Sequence, residues 1–132
     1  MEIEIFTLCD FAQEWGGKLF INGTFDMINA RSFPTTLNAC TIAGKLRFSN
    51  KETGEHEFRL KIVDSTGKDL VQPIQGNINV PESPAFIDYS TIHFAVNLMQ
   101  FQIPAAGSYA IELYLDGEWE SGLKLTAVQQ QQ

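Results

Sequence analysis

Apolar and polar residues alternate with a period of two along almost every apolar stretch of this chain. In residues 92–98, for example, the even positions are Ile, Phe, Val and Leu, and the odd positions between them are His, Ala and Asn. A strand with one buried face produces this alternation, whereas an amphipathic helix repeats about every 3.6 residues. The pattern therefore indicates an all-β fold.

Turn signals divide this pattern into about eight strands. Gly16-Gly17 and Asp116-Gly117 each predict a hairpin. The strands within residues 36–49 and 56–64 are predicted to pair as a further hairpin. Because turns recur about every 8 to 12 residues, we predict an antiparallel β-sandwich of the immunoglobulin-like or Greek-key type.

The chain of 132 residues is expected to form one domain. Residues 1–128 would form the sandwich, and the polar tail 129–132 would fray. With 44% hydrophobic residues and ten phenylalanines, the composition is sufficient for one aromatic-rich core. Cys9 and Cys40 fall on apolar phases of their strands, so both are predicted to be buried, reduced thiols, with Cys9 on the same face as Phe11.

The formal net charge of the chain is −7. Nucleic-acid binding depends on neutralising phosphates with many Lys and Arg side chains, so no nucleic-acid partner is expected. No run of residues approaches the ~20 apolar residues of a membrane span, and the N-terminal sequence lacks the features of a signal peptide. We therefore expect no membrane partner and a cytoplasmic location.

Four stretches carry a resemblance to a known family: FTLCDFAQEWGGKLFINGTFDMI, GKLRFS, GEHEFRLKIVDSTGK and GSYAIELYLDGE. The chain resembles an uncharacterised bacterial family of small all-β proteins that is catalogued only as a domain of unknown function. This resemblance covers nearly the whole chain and implies a bacterial, single-domain, all-β protein, but it brings no activity and no site residues. The closing Gly-Ser-Tyr is also similar to the late strand of immunoglobulin-like sandwiches, in which Tyr109 would hydrogen-bond back to the chain upstream.

The sequence lacks the motifs that usually accompany catalysis. It has no phosphate-binding glycine loop, nucleophile elbow or recognisable carboxylate pair, so we predict no enzyme, no catalytic residue and no cofactor. The two histidines, His56 and His93, match no metal-ligand spacing, so no metal site is expected. As an alternative, His93, Glu112 and Tyr114 fall on outward phases and could converge as an acid–base pair or a ligand-orienting patch.

A positive stripe is the strongest surface feature in the sequence. Lys45, Arg47, Arg59 and Lys61 fall on the outward phases of the two strands that are predicted to pair. Together they could bind an acidic protein segment or a phosphate-bearing ligand. Alternatively, neighbouring carboxylates interleave with them and leave an ordinary solvated sheet face.

Trp15 and Trp119 both lie in turn-like contexts. An exposed tryptophan can hold a sugar ring or anchor a protein partner, and the alternative is that each ring covers one end of the core. We predict a non-catalytic interaction module that binds an unknown protein partner, with a small homo-oligomer as a further option. The first alternative is a carbohydrate or small-ligand binding module that uses the tryptophans, and the second is an uncharacterised hydrolase.

Overall fold

A computed structural model describes residues 1–131, and the all-β prediction is confirmed. The strands of this range are β1 (Glu2–Trp15), β2 (Lys18–Thr24), β3 (Met27–Ala30), β4 (Thr35–Ser49), β5 (Gly54–Asp64), β6 (Ile74–Val80), β7 (Tyr89–Ile103), β8 (Gly107–Leu115) and β9 (Glu118–Gln129). A 3₁₀ turn at Asn50–Glu52 joins β4 to β5. Across these 131 residues, no helix has the length and apolar character needed to cross a membrane.

The strands form two sheets that face each other across one core. The four-stranded sheet has the order β2-β1-β4-β7, and the five-stranded sheet has the order β3-β9-β8-β5-β6. The larger side chains that are fully buried include Ile42, Leu46, Phe48, Leu60, Ile62, Ile103, Ile111 and Leu113. Each contributes roughly 1.5–3 kcal/mol on burial, so this layer between the sheets is the main source of stability.

The prediction that all strands pair antiparallel is wrong at one edge. β3 runs parallel to β9, with Met27 opposite Thr126 and Ala30 opposite Gln129. The chain reaches β3 from β2, which belongs to the other sheet. A strand that arrives by such a crossing is not held by a hairpin turn, so its direction is free to match that of its neighbour.

The two glycine-turn hairpins, β1–β2 and β8–β9, are confirmed. The predicted pairing of β4 with β5 is wrong, because β4 lies between β1 and β7 while β5 lies between β6 and β8. The connection between them is a 3₁₀ turn closed by a capping box. The Ser49 hydroxyl accepts the Lys51 amide, and the Glu52 carboxylate accepts the Ser49 amide. This turn carries the chain from one sheet to the other instead of reversing it within one sheet.

The distal half of the β1–β2 hairpin lies against the outer face of the four-stranded sheet. β1 pairs with β4 as far as Cys9 and pairs with β2 from Cys9 to Trp15. Ala12 and Ile21 of the hairpin contact Cys9 and Ala43, and these four form a cluster separate from the main core. Cys9 is therefore buried, as predicted, but beneath the hairpin and not between the sheets.

The prediction that Phe11 shares an inward face with Cys9 is wrong, because Phe11 is half exposed. Beyond Cys9, β1 no longer pairs with β4 and pairs only with β2. The Asp10 carboxylate occupies the space next to Gly23 where a Cβ atom would otherwise lie. Gly23 also has φ +70°, a conformation that favours glycine. Since β1 leaves β4 after Cys9, the residues beyond Cys9 have different neighbours from the residues before it.

The last two strands, β8 and β9, bear on two of the sequence predictions. The hydroxyl of Tyr109 donates to the carbonyl of Ala105 at 2.6 Å, which confirms the predicted bond to the chain upstream. β9 extends through Gln129, and the Gln130 amide donates to the Ala30 carbonyl. The last residue of the predicted tail, residue 132, lies outside the described residues.

Candidate functional site

The four cations of the predicted positive stripe lie on opposite sides of the sandwich. Lys45 and Arg47 point outward from β4 in the four-stranded sheet, and Arg59 and Lys61 point outward from β5 in the five-stranded sheet. They cannot form one patch, because the whole core separates them. The prediction failed because it required β4 and β5 to be neighbours.

Lys45 and Arg47 share one carboxylate. Arg47 donates to both oxygens of Glu4, with N···O distances of 2.9 and 3.2 Å, and the Lys45 ammonium lies 3.3 Å from the same carboxylate. The hydrogen bond from Arg47 is the main cause that lowers the pKa of Glu4. Arg47 also stacks on the ring of Tyr89, with 4.0 Å between the guanidinium carbon and the ring centroid. These contacts match the alternative in which carboxylates interleave with the cations.

His93 does not approach Glu112 or Tyr114. His93 lies on the outer face of the four-stranded sheet, opposite Lys45, and its Nδ1 atom is 3.0 Å from the carboxylate of Glu14. This contact ties the hairpin to β7, and the His93 side chain is only 11% exposed. Glu112 and Tyr114 lie on the outer face of the other sheet, so the acid–base pair considered for a hydrolase does not form.

Arg59, Tyr114 and Trp119 form one row across the outer face of the five-stranded sheet. Arg59 pairs with Tyr114 on the neighbouring strand, and Tyr114 pairs with Trp119 on the next. The guanidinium carbon of Arg59 lies 4.8 Å from the centroid of the Tyr114 ring, which is cation–π geometry. Trp119 is 56% exposed at the end of this row.

A β-bulge lets Trp119 lie on the outer face although Leu123, of the same odd phase, faces the core. The register shifts between the Leu113–Ser121 pair and the Tyr114–Trp119 pair, so one extra residue, Glu120, stands in β9. The indole then lies beside Gly122, where an added Cβ would be 3.6 Å from the ring. A larger side chain at this position would occupy the space next to the ring.

Polar groups surround the exposed indole. The Tyr114 hydroxyl donates to Glu112 Oε1 at 3.3 Å, and Glu112 is the residue opposite Gly122. A surface depression of about 430 Å³ is lined by Trp119, Glu112 and Lys124, among other residues. The site therefore combines an aromatic wall with one carboxylate and one ammonium group.

Five of the predicted site residues meet on this surface, which we call the Arg–Tyr–Trp face. They are Arg59, Lys61, Glu112, Tyr114 and Trp119. Lys61 lies 3.5 Å from Asp69, and the buried Nε atom of Arg59 has no hydrogen-bond partner among the described residues. The guanidinium is thus stacked on the Tyr114 ring, and its buried Nε–H is left without an acceptor among these residues.

Sequence reasoning missed several residues of this face. Gln75 lies on the edge strand opposite Arg59, and Gly122 and Lys124 lie beside the indole. The bulge was the hidden element, because Trp119 has the same odd phase as Leu123, which faces the core. A strict period-two count back from Leu123 would place the indole on the inner face.

Trp15 lies on a second aromatic surface, far along the β1–β2 hairpin. Trp15 is 71% exposed, and Phe11 and Phe20 are each half exposed. In the hairpin register Gln13 is opposite Phe20, so all three rings point to the side away from the sheet beneath. Sequence reasoning identified Trp15 but missed the two phenylalanines.

His56 joins two turns at one end of the sandwich. Its Nδ1 atom lies 2.7 Å from Asp116 Oδ2, and its Nε2 atom lies 2.6 Å from the Glu52 carbonyl. Because both ring nitrogens face acceptors, the charged imidazolium is favoured, and the hydrogen bond with Asp116 is the main cause that raises the pKa of His56. The same contact lowers the pKa of Asp116. This pair is a structural clamp.

The thiols of Cys9 and Cys40 are both free and buried. Burial raises the pKa of both, that of Cys40 to about 11, so neither resembles an activated nucleophile. Among residues 1–131, no group of three or more His, Cys, Asp or Glu side chains is placed to hold a metal ion.

Comparison with known proteins agrees with the resemblance seen in the sequence. A search of curated proteins finds no match to this chain. The family described as "Family of unknown function (DUF6941)" matches residues 4–128, which is almost the whole chain. The chain therefore belongs to this family of unknown function.

Proposed function

We propose that this protein is a non-catalytic interaction module that binds a protein partner across the Arg–Tyr–Trp face. The observation that carries the proposal is the exposed row of Arg59, Tyr114 and Trp119. These three residue types dominate the hot spots of protein interfaces, because each brings a large apolar area and a polar group at its end.

The surroundings of the row favour a protein over a single charged ligand. Lys61 and Glu112 flank the row with opposite charges, and Gln75 extends it to the sheet edge. A central aromatic anchor with a mixed polar rim is the usual anatomy of a protein interface. A face with both charge signs also selects its partner by complementarity of several charges.

The test begins with a photo-crosslinking residue at position 124, which lines the depression beside Trp119. A partner captured from this position would be purified and its affinity measured by calorimetry. We expect Trp119→Ala and Arg59→Glu each to weaken binding at least ~10-fold, as hot-spot residues do.

Trp15→Ala is the matched control, because it removes another exposed tryptophan from the hairpin on the other sheet. We expect this variant to bind the partner with wild-type affinity. Equal binding by wild type, Trp119→Ala and Arg59→Glu would refute the proposed surface.

A carbohydrate or small-ligand function is the second candidate. It is favoured by the depression of about 430 Å³ that Trp119, Glu112 and Lys124 line. A sugar ring could stack on the indole while the charged groups bind its hydroxyls. In a Trp15→Phe background Trp119 is the only tryptophan, so its fluorescence reports directly on a glycan panel. An unchanged spectrum across the panel would argue against this function.

We further propose that the sandwich is of the immunoglobulin-like, Greek-key type. In support, β1, β4 and β7 share one sheet while β5, β6, β8 and β9 share the other, so the chain crosses between sheets three times after β4. The hydrogen bond from Tyr109 to Ala105 near the start of β8 adds the tyrosine corner of such folds. An experimental structure in which β7 and β8 pair within one sheet would exclude this topology.

A further inference from the structure

β7 leaves one side of its backbone unpaired. It is the outermost strand of the four-stranded sheet, it spans 15 residues, and its ladder partner within residues 1–131 is β4. A strand of this kind presents a row of N–H and C=O groups that can pair with another strand.

The other edge strands are protected in ways that residues 91–99 of β7 are not. β3 has four residues, β6 has seven and lies between Pro73 and Pro81, and β2 has seven with a charge at Lys18 and positive φ at Gly23. The nine residues of β7 from Thr91 to Met99 include no Asp, Glu, Lys, Arg or Pro, and the positive φ of this strand falls beyond them, at Gln100. Proteins normally place such residues on long edges to prevent pairing, so this edge is open to it.

Apolar side chains line the open edge. Val96 and Leu98 point inward from β7 but remain partly exposed, and together with Val71 and Ile74 they line a groove of about 450 Å³. Met99, on the other face of the same strand, is 68% exposed. A strand added to β7 would therefore gain hydrophobic contacts as well as backbone hydrogen bonds.

Charge decides which occupant fits this edge. Two copies of the chain, each with a net charge of −7, repel wherever carboxylates meet. The stretch from Thr91 to Met99 carries no Asp or Glu, so two copies can approach there without carboxylates in the contact. An antiparallel edge is also complementary to itself, which is the requirement for a two-fold symmetric interface.

We propose that β7 pairs with β7 of a second copy of this chain, so that two four-stranded sheets join into one continuous sheet. The edge lies away from the Arg–Tyr–Trp face, so this inference does not depend on the proposed function. The contact is a strip about 30 Å long, at 3.3 Å per residue over about nine residues. Such an interface is at the small end of the range, which predicts a weak, concentration-dependent dimer.

Sedimentation equilibrium between 5 and 500 µM tests the proposal. We expect a reversible dimer whose dissociation constant falls as salt rises from 20 to 300 mM, because salt screens the repulsion between acidic copies. Met99→Lys should raise the dissociation constant at least tenfold. Met27→Lys is the matched control, since Met27 is another exposed methionine on an edge strand, and it should change the constant less than twofold.

Amide hydrogen exchange identifies the strand. The amides of residues 91–99 should become more protected as the dimer fraction rises with protein concentration. A second variant, Ala95→Lys, should abolish both the dimer and this protection. Its thermal unfolding temperature should stay near that of wild type. A monomer at 500 µM, a dimer insensitive to both lysines, or protection confined to another edge would each overturn the proposal.

Discussion

Gly44→Ala is expected to destabilise the protein because Phe94 occupies the space that a side chain would need. Gly44 lies opposite Phe94 in the β4–β7 ladder. An added Cβ would lie well inside van der Waals contact with the Phe94 ring and 3.0 Å from the Ile5 carbonyl oxygen. The carbonyl belongs to a paired strand and cannot move away, so the ring must rotate.

The cost follows from what the Phe94 ring contacts. Its centroid lies 4.9 Å from that of Phe58 and 6.3 Å from that of Phe6, both in tilted geometry. Each aromatic pair contributes about 0.5–1.5 kcal/mol, and overpacking a core costs about 1–3 kcal/mol. Replacing a strand glycine by alanine returns roughly 0.5–1 kcal/mol of chain entropy, so we expect a net loss of about 1–2 kcal/mol.

Urea unfolding at 25 °C measures this loss, and the melting temperature should fall by about 3–8 °C. Gly76→Ala is the matched control: Gly76 is also a strand glycine, but an added Cβ there meets nothing within 4 Å. This control should be neutral or slightly stabilising. If Gly44→Ala were as stable as Gly76→Ala, the close contact between Gly44 and Phe94 would be refuted.

Three further predictions concern the ends of the sandwich and its thiols. Tyr109→Phe removes a 2.6 Å hydrogen bond and should cost about 1–1.5 kcal/mol in urea unfolding, whereas Tyr114→Phe, whose hydroxyl bond is 3.3 Å long and near the surface, should cost less than about half of that. Asp116→Asn should destabilise the protein more at pH 5 than at pH 8. Because the pKa of His56 is raised in the folded protein, its pairing with Asp116 contributes fully to folding stability below the unfolded pKa of about 6.5. This contribution is lost as the pH rises through the folded pKa, and an equal destabilisation by Asp116→Asn at both pH values would contradict the pairing. Cys40 should react with a thiol reagent at least ~100-fold more slowly in the native state than in urea, since reaction requires opening of the core, and rapid native labelling would contradict its burial.

The sequence was most informative where one face of a strand is buried and a glycine turn fixes the neighbour. The hairpins closed by Gly16-Gly17 and Asp116-Gly117 were predictable on this basis. Alternation alone does not say which strands pair, and so the pairing of β4 with β5 was wrong. The sequence Ser49-Asn-Lys-Glu52 matches a capping box, which indicates that β4 ends in a helical turn and not in a hairpin turn.

The candidate site was less predictable, because it depends on two local departures from regular strands. The bulge at Glu120 puts Trp119 on the outer face although Leu123 of the same phase faces the core, and β1 leaves its partner β4 after Cys9, where Phe11 is exposed. A period-two pattern registers neither departure. Around Cys9 the pattern also fails because both faces of β1 are covered there, one by the core and one by the hairpin.

The hairpin determines which broad strand face of the sandwich stays uncovered. It covers the outer face of the four-stranded sheet around Ala43, and the contact of Glu14 with His93 fixes it there. Nearer the chain start, Glu4 neutralises part of the charge of the cations on that face. The outer face of the five-stranded sheet carries no such cover among the described residues, and Trp119 stands exposed on it. For the interaction module that we propose, the broad strand face left for a partner is therefore that of the five-stranded sheet, and the row that ends in Trp119 lies across it.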